Sequence, residues 1–271
     1  LKFPIYQLSS HKGRSNAVML WLLVAIVTVA STLVAFFPAS LLAALVEKQT
    51  GGRISLGDVE GTLWQGSAFL GAAAGRNAPV TPLLPGRFTW RLSPMVLLGR
   101  VDATLDNSTA LSNPVKIEGS WNEWRISPTS VMLPADRLAG LGAPLNTIQP
   151  SGQMRLAWGA LQLKREGGGV SLNGTMSLEM KDMSSRLSPI HPLGAYILIF
   201  DWSGRSAQLT LKTVKGPMLL SGAGQLNGGS LQFSGKAEAE AGQEEKLGNL
   251  LNLLGQRRRE GNKNVIALEF K

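Results

Sequence analysis

Side chains able to perform acid-base, nucleophilic or metal chemistry are sparse in this chain. Its 271 residues include two histidines, His11 and His191, and no cysteine. A histidine-rich or thiolate metal site cannot be built from these, and His191, held between Ile190 and Pro192, reads as a loop residue rather than a general base. Paired carboxylates remain. Asp102 with Asp106, and Asp58 with Glu60, have the even spacing that puts two acids on one strand face, the raw material of a hydrolase. Both pairs sit in segments that end in turns, where carboxylates are simply solvated. The phosphate-cradling GxxxxGK[ST] pattern is absent. The sequence therefore predicts no enzyme: no catalytic residue, no metal ligand and no cofactor. A cell-wall hydrolase is the weakest of the functions considered.

What organises the chain is an apolar run, Ala17 to Phe37, without a charged residue. At about 1.5 Å per residue such a helix spans a hydrocarbon core of about 30 Å. Twelve of its residues are Leu, Ile, Val or Phe, which together favour insertion by about 4 to 7 kcal/mol. Lys2, Lys12 and Arg14 precede it and no acid appears before Glu47. That asymmetry predicts a cytoplasmic N-terminus (1–16), a transmembrane helix (17–37), and everything later on the periplasmic side of a bacterial inner membrane. A cleaved signal peptide would have a shorter apolar core. Residues 38–52 follow as a juxtamembrane amphipathic helix, with Leu41, Leu42, Leu45 and Val46 at helical spacing before Gly51 and Gly52.

Residues 53–271 have the texture of a β-rich domain, with glycines and prolines scattered between short apolar runs. Phe88, Trp90 and Leu92 alternate with polar neighbours, as do Met154, Leu156 and Trp158, then Met176, Leu178 and Met180. Trp90-Arg91-Leu92-Ser93-Pro94 is echoed by Trp124-Arg125-Ile126-Ser127-Pro128, and each proline should end a strand. Gly71 to Gly86 reads as a loop, and Ala135 to Leu141 as a helical turn closed by Gly142 and Pro144. The run Gln243 to Arg259 predicts one amphipathic helix, with Arg257, Arg258 and Arg259 at its C-terminal end, where the helix dipole favours cations. The expected fold is mainly β: a curved antiparallel sheet, half-barrel or groove-like, with a few short helices.

The net charge of +9 points to phospholipid headgroups or acidic protein partners. No recognition signature for nucleic acid is present.

Several phrases in order, GTLWQG (Gly61 to Gly66), LPADRLAGLG (Leu133 to Gly142), HPLGAY (His191 to Tyr196) and FSGKAEAEAG followed by LGNLLNLLG (Phe233 to Gly255), give the chain a recognisable outline. It resembles type II secretion system protein N, an accessory subunit of the machine that exports folded proteins. The resemblance implies an integral inner-membrane protein with a periplasmic β-rich domain. Its partners would be the other inner-membrane subunits of that machine, with the outer-membrane secretin as a further one. Contact residues expected to meet a partner are Trp64 and the helix stripe Leu247, Leu250, Leu251 and Leu254. The alternative reading is a periplasmic β-groove protein that binds or moves lipid at the inner membrane.

Overall fold

The structure, a computed structural model, describes residues 12–73, 80–141, 145–260 and 263–270. Lys2, His11, the centre of the Gly71 to Gly86 loop, Gly142 and Pro144 lie outside the described residues. The chain divides into two units, Leu1–Pro38 and Ala39–Lys271. In the first, α1 (Lys12–Ala35) contains an 18-residue apolar segment, Val18–Ala35, long enough to cross a membrane and with no part buried. Two of its hydroxyls are bonded within the helix. Thr28 donates its hydroxyl to the Val24 carbonyl at 2.8 Å, and Thr32 to that of Thr28 at 2.9 Å.

The second unit opens with α2 (Ser40–Gln49), packed along β1 (Ile54–Gly61). Then come β2 (Gln65–Ala72), the two-residue β3 (Thr81–Pro82), β4 (Phe88–Leu92), β5 (Arg100–Asp106), β6 (Val115–Ser120) and β7 (Glu123–Ile126). Next are β8 (Thr129–Pro134), the short α3 (Leu145–Ile148), β9 (Pro150–Trp158), β10 (Leu161–Glu166) and the 17-residue β11 (Gly169–Ser185). The chain finishes with β12 (Gly194–Ser203), β13 (Ser206–Lys215), β14 (Met218–Asn227), β15 (Ser230–Ala239), α4 (Glu244–Leu254), β16 (Gln256–Glu260) and β17 (Lys263–Phe270). The strands form one large antiparallel sheet that does not close into a barrel.

Successive strands pair from β1 to β2, β4, β5, β6 and β7, and then through β10 to β11. From β11 the order continues through β12, β13, β14 and β15 to β17 and β16. Strand β11 is the hinge of this arrangement. Its first residues pair with β10 and its later ones with β9 along the same edge, so β9 and β10 act as one strand broken at Gly159-Ala160. β8 and β7 are broken in the same way around Pro128, which has no amide to continue the ladder. The expected proline stops at Pro94 and Pro128 are therefore both present.

Because residues directly opposite each other share a face, the register sorts side chains into rows. Val131, Leu156, Leu178, Leu198 and Leu211 form one row across five strands. Trp158, Met176, Phe200 and Leu209 form the next. Their sequence neighbours, such as Arg155, Glu179 and Lys212, fall on the opposite face. Period-two alternation alone produces this apolar side.

Two clusters cap it. At one, Leu84, Ala110 and Val131 are buried with Leu70, Phe88, Leu156 and Trp158 around them. At the other, α4 lays Leu247, Leu250 and Leu251 onto Tyr196, Met218, Ala237, Ile266 and Leu268. Here the structure differs from the sequence reading. The helix stops at Leu254, and Arg257, Arg258 and Arg259 lie in β16 rather than at the helix terminus. Gly255 allows the reversal: its Cα faces the Ala267 carbonyl so closely that a side chain would collide with it.

Candidate functional site

The carboxylates considered for catalysis are engaged elsewhere or solvated. Arg87 reaches Asp58 at 2.7 Å and Glu60 at 3.2 Å, donates to Ser67 Oγ at 2.8 Å, and lies over the Phe69 ring at 4.9 Å. This is a clamp across the first hairpin. Asp102 stands opposite Glu118 in a shallow cleft shared with Arg100 and Arg125. His191 is exposed, in a cis peptide bond to Pro192, with no carboxylate bonded to it among the described residues. No group of His, Cys, Asp and Glu that could hold a metal ion occurs among the described residues. Burial pushes the Tyr196 phenol well above its ordinary range. Its hydroxyl donates to the Met218 carbonyl at 3.0 Å, which makes it a structural bond inside the α4 cluster.

The stripe expected to meet a partner is turned onto the chain's own sheet. Leu247 is 0% exposed, Leu250 1%, Leu251 is buried and Leu254 half-buried against the same cluster. A docking surface needs accessible side chains, so Leu247, Leu250 and Leu251 are core and Leu254 lies partly buried at its margin. Trp64 is half-buried in the turn between β1 and β2. That turn belongs to one rim of the sheet, and the register brings the other turns of the same end beside it: 93–99, 121–122, 167–168, 204–205 and 228–229. Ala39, the first residue of this unit, donates its N–H to Gly61 O at 3.2 Å, so the chain also enters here. The other open feature is an edge. Among the described residues no strand pairs with the outer side of β16, and β1 ends the sheet at the other extreme with α2 along it.

Residues 52–265 match the family model of type II secretion system (T2SS), protein N. The chain belongs to this family. No curated protein and no solved structure matches the chain significantly. The matched span of T2SS protein N starts after α2 and ends within β17, so it describes the β body and leaves α1 outside. The family is a secretion accessory component.

Two of the phrases that outlined T2SS protein N in the sequence have clear structural roles. In GTLWQG, Gly61 and Gly66 face each other across the β1–β2 hairpin, and the Trp90 ring lies against Gly66 where any side chain would clash. The Trp90 indole donates to the Leu63 carbonyl at 3.2 Å and locks the turn. LGNLLNLLG is α4 itself. The sequence reading missed the exposed 3₁₀ helix Pro94–Leu98. Its signal was there: Ser-Pro, four apolar residues, then Gly, a capped helical turn too short to bury what it carries.

Proposed function

We propose that this T2SS protein N is a single-pass inner-membrane subunit whose β body works in the periplasm by contact. Residues 1–16 are cytoplasmic, α1 is the tether, and the body meets other inner-membrane subunits and the secretin. The family match over residues 52–265 is the observation that carries the reading. The unburied apolar helix just before the body supports the tether.

The open edge β16 is the proposed contact. An edge strand offers unpaired N–H and C=O groups to an added strand, and three consecutive arginines, Arg257 to Arg259, favour an acidic one while discouraging self-pairing. Trp64 is retained as a second contact, at the rim. Charge reversal by Arg257→Glu with Arg259→Glu should lower export of a type II substrate about tenfold, since close charge pairs at interfaces contribute on the order of 1.5 kcal/mol or more. Membrane levels of the protein should stay unchanged. Normal export from this variant refutes the edge, and normal export after deletion of 17–37 refutes the tether.

A second reading rests on the apolar rows of the open sheet. Met176, Leu178, Leu198 and Phe200 remain only half-buried, which suits a lipid chain lying along them. Phospholipid recovered by mass spectrometry from the purified full chain, and lost on Leu198→Glu, supports it. Full chain recovered without bound acyl chains removes it.

A further inference from the structure

The rim where the chain enters the sheet exposes more apolar surface than a solvated turn region needs. In the 3₁₀ helix between β4 and β5, Met95 is 53% exposed, Leu97 56% and Leu98 81%. Trp121, from the turn between β6 and β7, is 54% exposed and donates its indole N–H to the Val96 carbonyl. Two separate turns are thereby joined into one apolar patch. The helix is held in place rather than draped. Ser93 Oγ accepts from Met95 N–H at 3.3 Å at one end, and Gly99 closes the other in the left-handed conformation, φ +91°.

The composition of the whole rim agrees with the patch. The turns 62–64, 93–99, 121–122, 167–168, 204–205 and 228–229 contain no Asp or Glu, and Arg205 is the charged residue among them. Arg100, Lys164 and Arg165 stand exposed just behind, with Glu123 and Glu166. At the opposite end the connections carry Asp136, Arg137, Arg186 and Glu240, the mixed charge of an ordinary solvated surface. Leu41, in the first turn of α2, is exposed beside the point of entry.

We propose that this rim is a membrane-contact surface, seated in the headgroup region of the same bilayer that holds α1. Only Phe36, Phe37 and Pro38 separate the end of α1 from the first residue of the β unit, and Ala39 is hydrogen-bonded at this rim. The bilayer is thus the partner that the covalent link keeps nearest. An amphipathic indole beside Leu and Met, in turns that carry no carboxylate and with Lys164 paired to Glu166 at 3.1 Å behind them, has the chemistry of a membrane interface. The proposal rests on the reading of α1 as a span.

The test uses the full chain in vesicles of phosphatidylethanolamine and phosphatidylglycerol. The chain has no native cysteine, so single reporters can be placed by Leu98→Cys and Met95→Cys at the rim. Val214→Cys goes at the exposed opposite end and Leu23→Cys within α1. Each is labelled with an environment-sensitive fluorophore and quenched by nitroxide lipid or by aqueous iodide. The rim reporters should behave like Leu23→Cys, quenched severalfold more by lipid than the Val214→Cys reporter and shielded from iodide. Rim reporters that match Val214→Cys overturn the proposal while leaving the span intact. Shielding from iodide without lipid quenching also overturns it, in favour of a second copy of the chain. A Leu23→Cys reporter open to iodide removes the span, and the rim proposal with it.

Discussion

Replacing Leu250 by Ala tests whether α4 is core or contact surface. Leu250 is 1% exposed and packed among Tyr196, Met218, Ala237, Ile266 and Leu268. Truncation removes the branched end of the side chain from a site formed by a rigid sheet on one side and a helix on the other. Such a site relaxes little, so the cost should fall near the middle of the Leu→Ala range, about 3 to 4 kcal/mol. For a domain of this size each kcal/mol moves the midpoint by about 2 to 4 °C, which predicts a fall of about 6 to 16 °C. Leu253→Ala, on the same helix but 59% exposed, should change stability by less than about 0.5 kcal/mol. Thermal unfolding of the full chain in detergent, followed by near-ultraviolet circular dichroism, measures both. If Leu250→Ala melts with the parent while crosslinking to neighbouring subunits weakens, the stripe is a docking surface and the packing argument is wrong.

Two further perturbations test the sheet itself. Tyr196→Phe leaves the buried Met218 carbonyl without its donor, at a cost of about 1 to 2 kcal/mol at neutral pH. The raised phenol pKa has a definite sign: the parent keeps this stability below about pH 10 and loses it as pH rises further, because the unfolded chain ionises first. Urea titrations on both sides of about pH 10 should therefore show a steeper alkaline decline for the parent than for the Phe variant. Gly222→Ala would place a methyl 2.5 Å from the Phe233 ring carbon Cζ and 2.8 Å from the Gly235 Cα. That overpacking should cost about 1 to 3 kcal/mol and be partly relieved by Phe233→Leu, as a shift of the urea midpoint will show.

How far the sequence reaches is visible in α4 and β16. The spacing of Leu247, Leu250, Leu251 and Leu254 announces an amphipathic helix, and the glutamates at its start agree with the helix dipole. Spacing cannot say what the apolar stripe faces. It could have met a partner, and in the fold it meets β12, β14, β15 and β17. Arg257 to Arg259 illustrate a different limit. Three cations after a helical pattern fit a C-terminal turn, yet β17 offers an unpaired edge to which the same residues bond as a strand. Local preference lost to a tertiary ladder. The carboxylates show the same dependence: Asp58 and Glu60 are near neighbours in any strand, but only the fold brings Arg87 from β4's approach to neutralise them.

The primary structure alone determined the apolar helix, the strand-rich body and the proline stops, because composition and short-period alternation act within a few residues. Tertiary structure decided which apolar faces became core, where the sheet stayed open, and which turns stand together at one rim. Those properties depend on register between strands far apart in the chain. No local pattern contains that information, because a strand's alternation is the same whichever neighbour it pairs with.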